Sequence, residues 1–287
     1  MMLRRIVLAS CFLAVSWCAY GLQEDTLSES QIRELIRQSA DKDLENTKRE
    51  REYTYVKHEV QRRLDDKGQV KSSESKTYEV MILGGEPTEK LIAKDDKPLS
   101  AKEAKNEDDK IQKIIAKNEK ESDRDRQRRL EKSEKETEED RQFVREIADA
   151  YKFHFRGMEE VGGRSAYVID ADPLPDYKPR LKDAKILKSL RFRAWVDKAD
   201  QQWVKLNIEC IDTISWGLFL ARIHKGSTIQ IEQTRVNDEV WLPKHASLTL
   251  DARIALLKNL DMVWDVTFRD YQKFRTDAVI RPLGEVQ

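Results

Sequence analysis

The sequence predicts an α+β fold: a curved antiparallel β-sheet or open barrel with helices over its dry face. Three observations carry this. The last third of the chain alternates apolar and polar residues one by one, the mark of strands with one wet and one dry face. Two stretches near 30 to 45 and 141 to 151 switch to helical periodicity and are short enough to serve as covers. Between them, residues 101 to 140 hold 26 charged side chains in 40, with no Gly, Pro or aromatic, which reads as a long solvated helix.

In chain order, the first 21 residues form a secretory leader. Arg4 and Arg5 precede an apolar run at 6 to 18, and Ala19 and Gly21 offer small residues at the two positions a signal peptidase reads. The run is too short for an ordinary membrane span. Acylation of Cys18 is disfavoured by the large Trp17 before it. From 22 to 287 the expectation is one domain that includes the 101 to 140 insertion. SESQ at 28 to 31 is a capping-box pattern, and Ile32, Leu35, Ile36 and Leu44 supply the stripe of the helix it opens. Residues 53 to 93 read as a β-meander with turns at 65 to 68 and at Gly84-Gly85. In the insertion Ile111, Ile114 and Ile115 share a face, and a bend is expected near Ser122. Phe143, Ile147 and Ala150 or Tyr151 mark the next amphipathic turn. Two strands follow around Gly162-Gly163, then a loop or short helical connection at 176 to 188. The regular C-terminal strands alternate through Phe192, Ala194 and Val196, then Val204, Leu206 and Ile208. Trp195 and Trp203 fall on the opposite face from this set if register persists across the turn.

Composition excludes several functions. Removing Arg4 and Arg5 with the leader leaves 51 basic against 53 acidic residues, so no basic field supports nucleic-acid binding. Of three cysteines only Cys210 remains after the leader, which precludes an internal disulfide in an oxidising compartment. His58, His154, His224 and His245 lie far apart without metal-ligand spacing, and no nucleophile elbow, phosphate-binding loop or dinucleotide fingerprint occurs. No cofactor and no enzymatic activity are expected. One segment breaks the alternation: TISWGLFLARIHKG, 213 to 226. It packs Ile214, Trp216, Leu218, Phe219 and Leu220 ahead of Arg222, His224 and Lys225. It reads either as a strand or short helix buried on both sides, or as an apolar cavity wall with a basic rim.

The runs GMEEVGGRSAYVIDADP, FRAWVDKADQQWVKLNI, IHKGSTIQIEQTRVNDEVWLPKHASL and VTFRDYQKF resemble the periplasmic outer-membrane lipoprotein-sorting proteins of the LolA-like superfamily over about residues 150 to 275. The resemblance implies an incomplete barrel whose open side helices cover, located in the periplasm. It implies a hydrophobic cavity that holds lipid or lipoprotein acyl chains, with membrane contact transient at most. The charged arm departs from the smaller carriers of that family. Dry-face register together with the resemblance names Phe192, Leu206, Trp216, Ile229, Ile231, Leu248, Leu250, Met262, Trp264 and Phe268 as candidate lining residues. The expected partner is a lipid or a lipidated protein. The alternative is an interaction or envelope-stress regulatory module on the same scaffold, in which the 101 to 140 arm docks an envelope protein.

Overall fold

The computed structural model describes residues 26 to 216, 221 to 254 and 258 to 274, with no account of side chains at 216, 254 and 258. The leader therefore lies outside the described residues, as do Leu218, Phe219 and Leu220. Helix α1 (Glu29–Glu50) starts at the expected capping box: Ser28 Oγ accepts from Gln31 N at 3.3 Å, and Gln31 Oε1 accepts from Ser28 N at 2.9 Å. The meander follows as β1 (Tyr53–Leu64), β2 (Val70–Leu83), β3 (Glu86–Lys94) and the short β4 (Lys97–Pro98).

The charged insertion is two helices, α2 (Ala101–Glu119) and α3 (Asp123–Ala150). Ser100 opens α2 with a second capping box, to Glu103. Ser122 caps α3 by accepting from Asp125 N at 3.2 Å, so a good N-cap in mid-run is what breaks the helix. Of the isoleucine trio, Ile111 is buried, on the side of α2 that meets β2 and β3. The amphipathic turn expected near Phe143 is the end of α3.

Strands β5 (Tyr151–Val161), β6 (Arg164–Pro173), β7 (Leu190–Asp197), β8 (Trp203–Cys210), β11 (Thr228–Val236), β12 (Val240–Ile254) and β13 (Lys258–Lys273) complete an antiparallel sheet of order β4-β3-β2-β1-β13-β12-β11-β8-β7-β6-β5. A 3₁₀ helix (Asp183–Ser189) links β6 to β7. The two ends of this path do not pair, so the barrel is incomplete, with helices along it. The last described strand inserts between β1 and β12, joining the early meander to the late one. Asn237 and Asp238, with φ of 51° and 57°, form the tight turn between β11 and β12 that their residue types predict.

In its described parts TISWGLFLARIHKG is not a strand or helix buried on both sides. Its described parts are β9 (Ile214–Trp216) and β10 (Ala221–Ile223), which pair antiparallel with each other, and β10 pairs with the end of β12 away from the main strand order.

The tryptophan register departs from expectation. A bulge in the β7–β8 pair sets Trp195 opposite Lys205 but Val196 opposite Trp203. The extra residue flips the end of β8. Trp203 consequently packs with Ala194, Val196 and Leu206 on the helix-covered side. Val204 joins Trp195, Ala166, Val168 and Trp241 in a separate cluster on the other side. The expectation that Trp203 shares the outer face with Trp195, and Val204 the dry face with Leu206, is thus corrected. Trp195 itself is only 6% exposed and donates to Glu159 through Nε1 at 2.7 Å.

Candidate functional site: an apolar cleft beneath two helices

Cross-strand register places one continuous set of side chains on the inner face. Phe192 faces Ile208, Ile208 faces Ile229, Ile229 faces Leu248 and Leu248 faces Trp264. In the same way Leu206 faces Ile231, and Leu250 faces Met262. Nine of the ten sequence candidates therefore share one face, Phe268 included because β13 alternates without a register shift from Trp264 to Phe268. Trp216 lies in β9, but its side chain is outside the described residues.

Helices α1 and α3 run antiparallel over part of this face. Arg33 of α1 donates to the carbonyl of Ala148 near one end, and Arg141 of α3 approaches Glu45 at 3.9 Å near the other. Between the helix pair and the sheet lies a cleft of about 390 Å³. Ile36, Ala40 and Leu44 of α1 and Phe143, Val144 and Ile147 of α3 form its roof. Phe192, Ala194, Trp203, Leu206, Ile208 and Ile229 form its floor. A smaller cavity of about 140 Å³ adjoins, lined among others by Cys210, Ile214, Ile223, Leu248 and Leu250. The two share Ile186, Leu190, Ile208 and Ile229. Together they follow β8 from Trp203 to Cys210, roughly 23 Å at about 3.3 Å per residue.

Of the candidates, Phe192, Leu206 and Ile229 line the larger cavity, and Ile229, Leu248 and Leu250 the smaller. Ile231, Met262, Trp264 and Phe268 lie farther along the same face and line neither. Of the roof residues, Ile36, Leu44, Phe143 and Ile147 were named in the sequence only as packing stripes, and Ala40 and Val144 were not named. Their signal was the same i, i+3, i+4 spacing: a stripe that covers a dry face also lines whatever space it leaves. Trp203 was missed because of the bulge.

Polar groups at the cleft are few. Ser39 Oγ accepts from Trp203 N at 2.6 Å. Asp43 is the one charged side chain of the lining. Its Oδ1 accepts from Gln233 at 2.9 Å and from Gln202 at 3.3 Å. Burial pushes its carboxyl above the ordinary range, and hydrogen bonds from Gln233, Gln202 and Trp203 hold the rise back. The Tyr151 hydroxyl is spent on the Leu187 carbonyl at 2.9 Å. Burial likewise pushes the Cys210 thiol up, so it is a small buried hydrophobe that donates to the Asp212 carbonyl. Such a lining offers apolar area and almost nothing to orient a polar substrate.

The covers are firmly tied. Glu146, 1% exposed on α3, accepts from the Tyr177 hydroxyl at 2.5 Å, from Leu181 N at 3.1 Å and from Arg180 N. Burial opposes its charge, but those three donors outweigh it and hold the carboxyl below its ordinary value. Among the described residues, no group of three or more His, Cys, Asp or Glu side chains is placed to hold a metal ion. No described helix is long and apolar enough to cross a membrane.

No protein-family model matches the sequence, and no curated protein matches it. Comparison with solved structures aligns the chain with a domain described as an outer membrane lipoprotein-sorting protein from Vibrio parahaemolyticus. The identity is 10% and the TM-score 0.33, over 85% of this chain and 95% of that one. A LolA superfamily protein from Nitrosomonas europaea aligns at 10% identity and TM-score 0.31, over 83% and 94%. MucB in complex with MucA aligns at 10% identity and TM-score 0.22, over 83% of this chain and all of that one.

Proposed function

We propose that the chain is a non-enzymatic periplasmic carrier. It holds an acyl chain of a lipid or lipidated protein between the sheet and helices α1 and α3, in traffic toward the outer membrane. The cleft carries this reading: about 390 Å³, adjoined by a cavity of about 140 Å³ with which it shares four lining residues, and with a single charged lining side chain. That size lies within the range of small-molecule sites. A bilayer core of about 30 Å holds two leaflets, so one acyl chain spans about 15 Å, shorter than the run of the two cavities along β8. Each buried methylene contributes roughly 0.8 kcal/mol, so a chain of a dozen gains about 10 kcal/mol before the costs of ordering. The leader read at residues 1 to 21 supports the compartment.

The test is native mass spectrometry of protein purified from cells, followed by organic extraction of whatever is bound. The expected result is a co-purifying amphiphile. Its consistent absence, with no uptake after incubation with lipid, rejects the carrier reading.

A second reading rests on the insertion. From 101 to 140 the only buried side chain is Ile111, so most of two helices presents charge to solvent. Docking of an envelope protein on this arm is expected to be lost on deleting 101 to 140 while lipid uptake survives. Loss of lipid uptake alone assigns the arm to the carrier instead.

A further inference from the structure

The helix pair over the cleft has a charged outer side. There lies a recess of about 320 Å³ lined by Arg37 and Asp41 of α1, Arg141, Arg145 and Asp149 of α3, and Arg180. Ala40 and Val144 line both this recess and the apolar cleft, so two small side chains separate a cluster of guanidiniums from an acyl-sized space. Four cations face two carboxylates. Asp149 is taken up by Arg37 at 3.3 Å and Arg180 at 2.5 Å. Arg141 meets Glu45 and Glu138 only at 3.9 and 3.8 Å, and exposed Arg145 has no ion pair among the described residues. Arg141 and Arg145 are also like charges one helical turn apart, a spacing that repels unless an anion sits between them. Guanidinium forks match the oxygens of a phosphate group in pairs.

We infer that the recess takes the phosphate head of an anionic amphiphile whose chain passes between α1 and α3 at Ala40 into the cleft. The inference rests on the carrier reading and adds a head-group class and a route of entry. The position of the cations decides for a lipid phosphate over a free ion: a site for free phosphate needs no apolar space behind it.

The experiment compares palmitoyl lysophosphatidic acid with 1-monopalmitoylglycerol, which differ by the phosphate alone, each below its micelle concentration. Inorganic phosphate is a third ligand. Binding to the full chain and to the R141Q/R145Q variant is measured by calorimetry. The phosphorylated lipid is expected to bind the wild type at least about tenfold tighter than the neutral one, as charge-assisted pairs would give. R141Q/R145Q should remove that preference and leave monopalmitoylglycerol binding unchanged, and inorganic phosphate alone should bind far more weakly. Equal binding of the two lipids by the wild type overturns the inference and leaves the carrier reading intact, and this comparison stands even if the variant does not fold. Preference retained in the folded variant also overturns it. Inorganic phosphate binding as tightly as the phosphorylated lipid reassigns the recess to a free anion and likewise overturns it. If neither lipid binds, the carrier reading fails first.

Discussion

The inner face of the sheet is one register of side chains finished in two ways. Over β5 to β8 it is roofed by α1, α3 and the 3₁₀ helix, and its floor includes fully buried Ile169, Ala171 and Ala194. Over β12 and β13 the same face is open only in part: Trp264 is 39% exposed and Ile229, at the border, 38%, whereas Met262 and Val266 on either side of Trp264 are buried. Farther on, the face turns polar. Lys57 pairs with Glu89 at 2.5 Å and stands 4.5 Å from the centre of the Tyr78 ring, whose hydroxyl donates to Glu59 at 3.0 Å. Alternation makes a dry face, but only a cover that leaves room over small side chains such as Ala40 and Ala194 turns that face into a cleft. The open half explains why an apolar register by itself is a poor site predictor.

Ile32, 1% exposed under the roof, anchors α1 to the core. I32A is expected to cost about 3 kcal/mol in urea unfolding, the cavity cost of a buried aliphatic side chain. A value near zero would mean that α1 is not docked.

The tie from α3 to the loop at 177 to 181 comes next. E146Q leaves buried donors imperfectly matched and is expected to cost about 2 kcal/mol at neutral pH. The charge also has a pH signature. Glu146 titrates below its ordinary 4.5 when folded, so its contribution is complete above about pH 4.5 and declines as pH falls through the lowered folded value. The wild type should therefore lose stability below pH 4.5 more steeply than E146Q. Parallel acid limbs in thermal melts would remove Glu146 from the account.

On the open half, W264A should cost only about 1 kcal/mol, since water already reaches much of the ring. A loss as large as that of I32A would show that the open half is covered in solution.

Much of the architecture was legible because it follows local rules. Capping at Ser28, the turn at Asn237-Asp238 and the alternation through Leu248 and Leu250 each have a short-range cause. The break at Ser122 was legible for the same reason, since a serine followed by aspartates competes with helix continuation. What escaped was set at longer range. One extra residue in β8 exchanged the faces of Trp203 and Val204, and no periodicity within the strand announces a bulge. The sequence could name a dry face from Phe192 to Phe268. It could not say that the roof would stop near Ile229, because that depends on where α3 lands after its long charged run.

The central claim is that an acyl chain occupies the space between Trp203 and Ile208. Trp203 lines that space, so energy transfer from tryptophan to 11-(dansylamino)undecanoic acid reports occupancy directly. Saturable transfer is expected in the wild type, with binding weakened at least about tenfold when I208W fills the junction of the two cavities and affinity unchanged in W264A. Equal affinity in all three proteins, or no saturable transfer in the wild type, would contradict it.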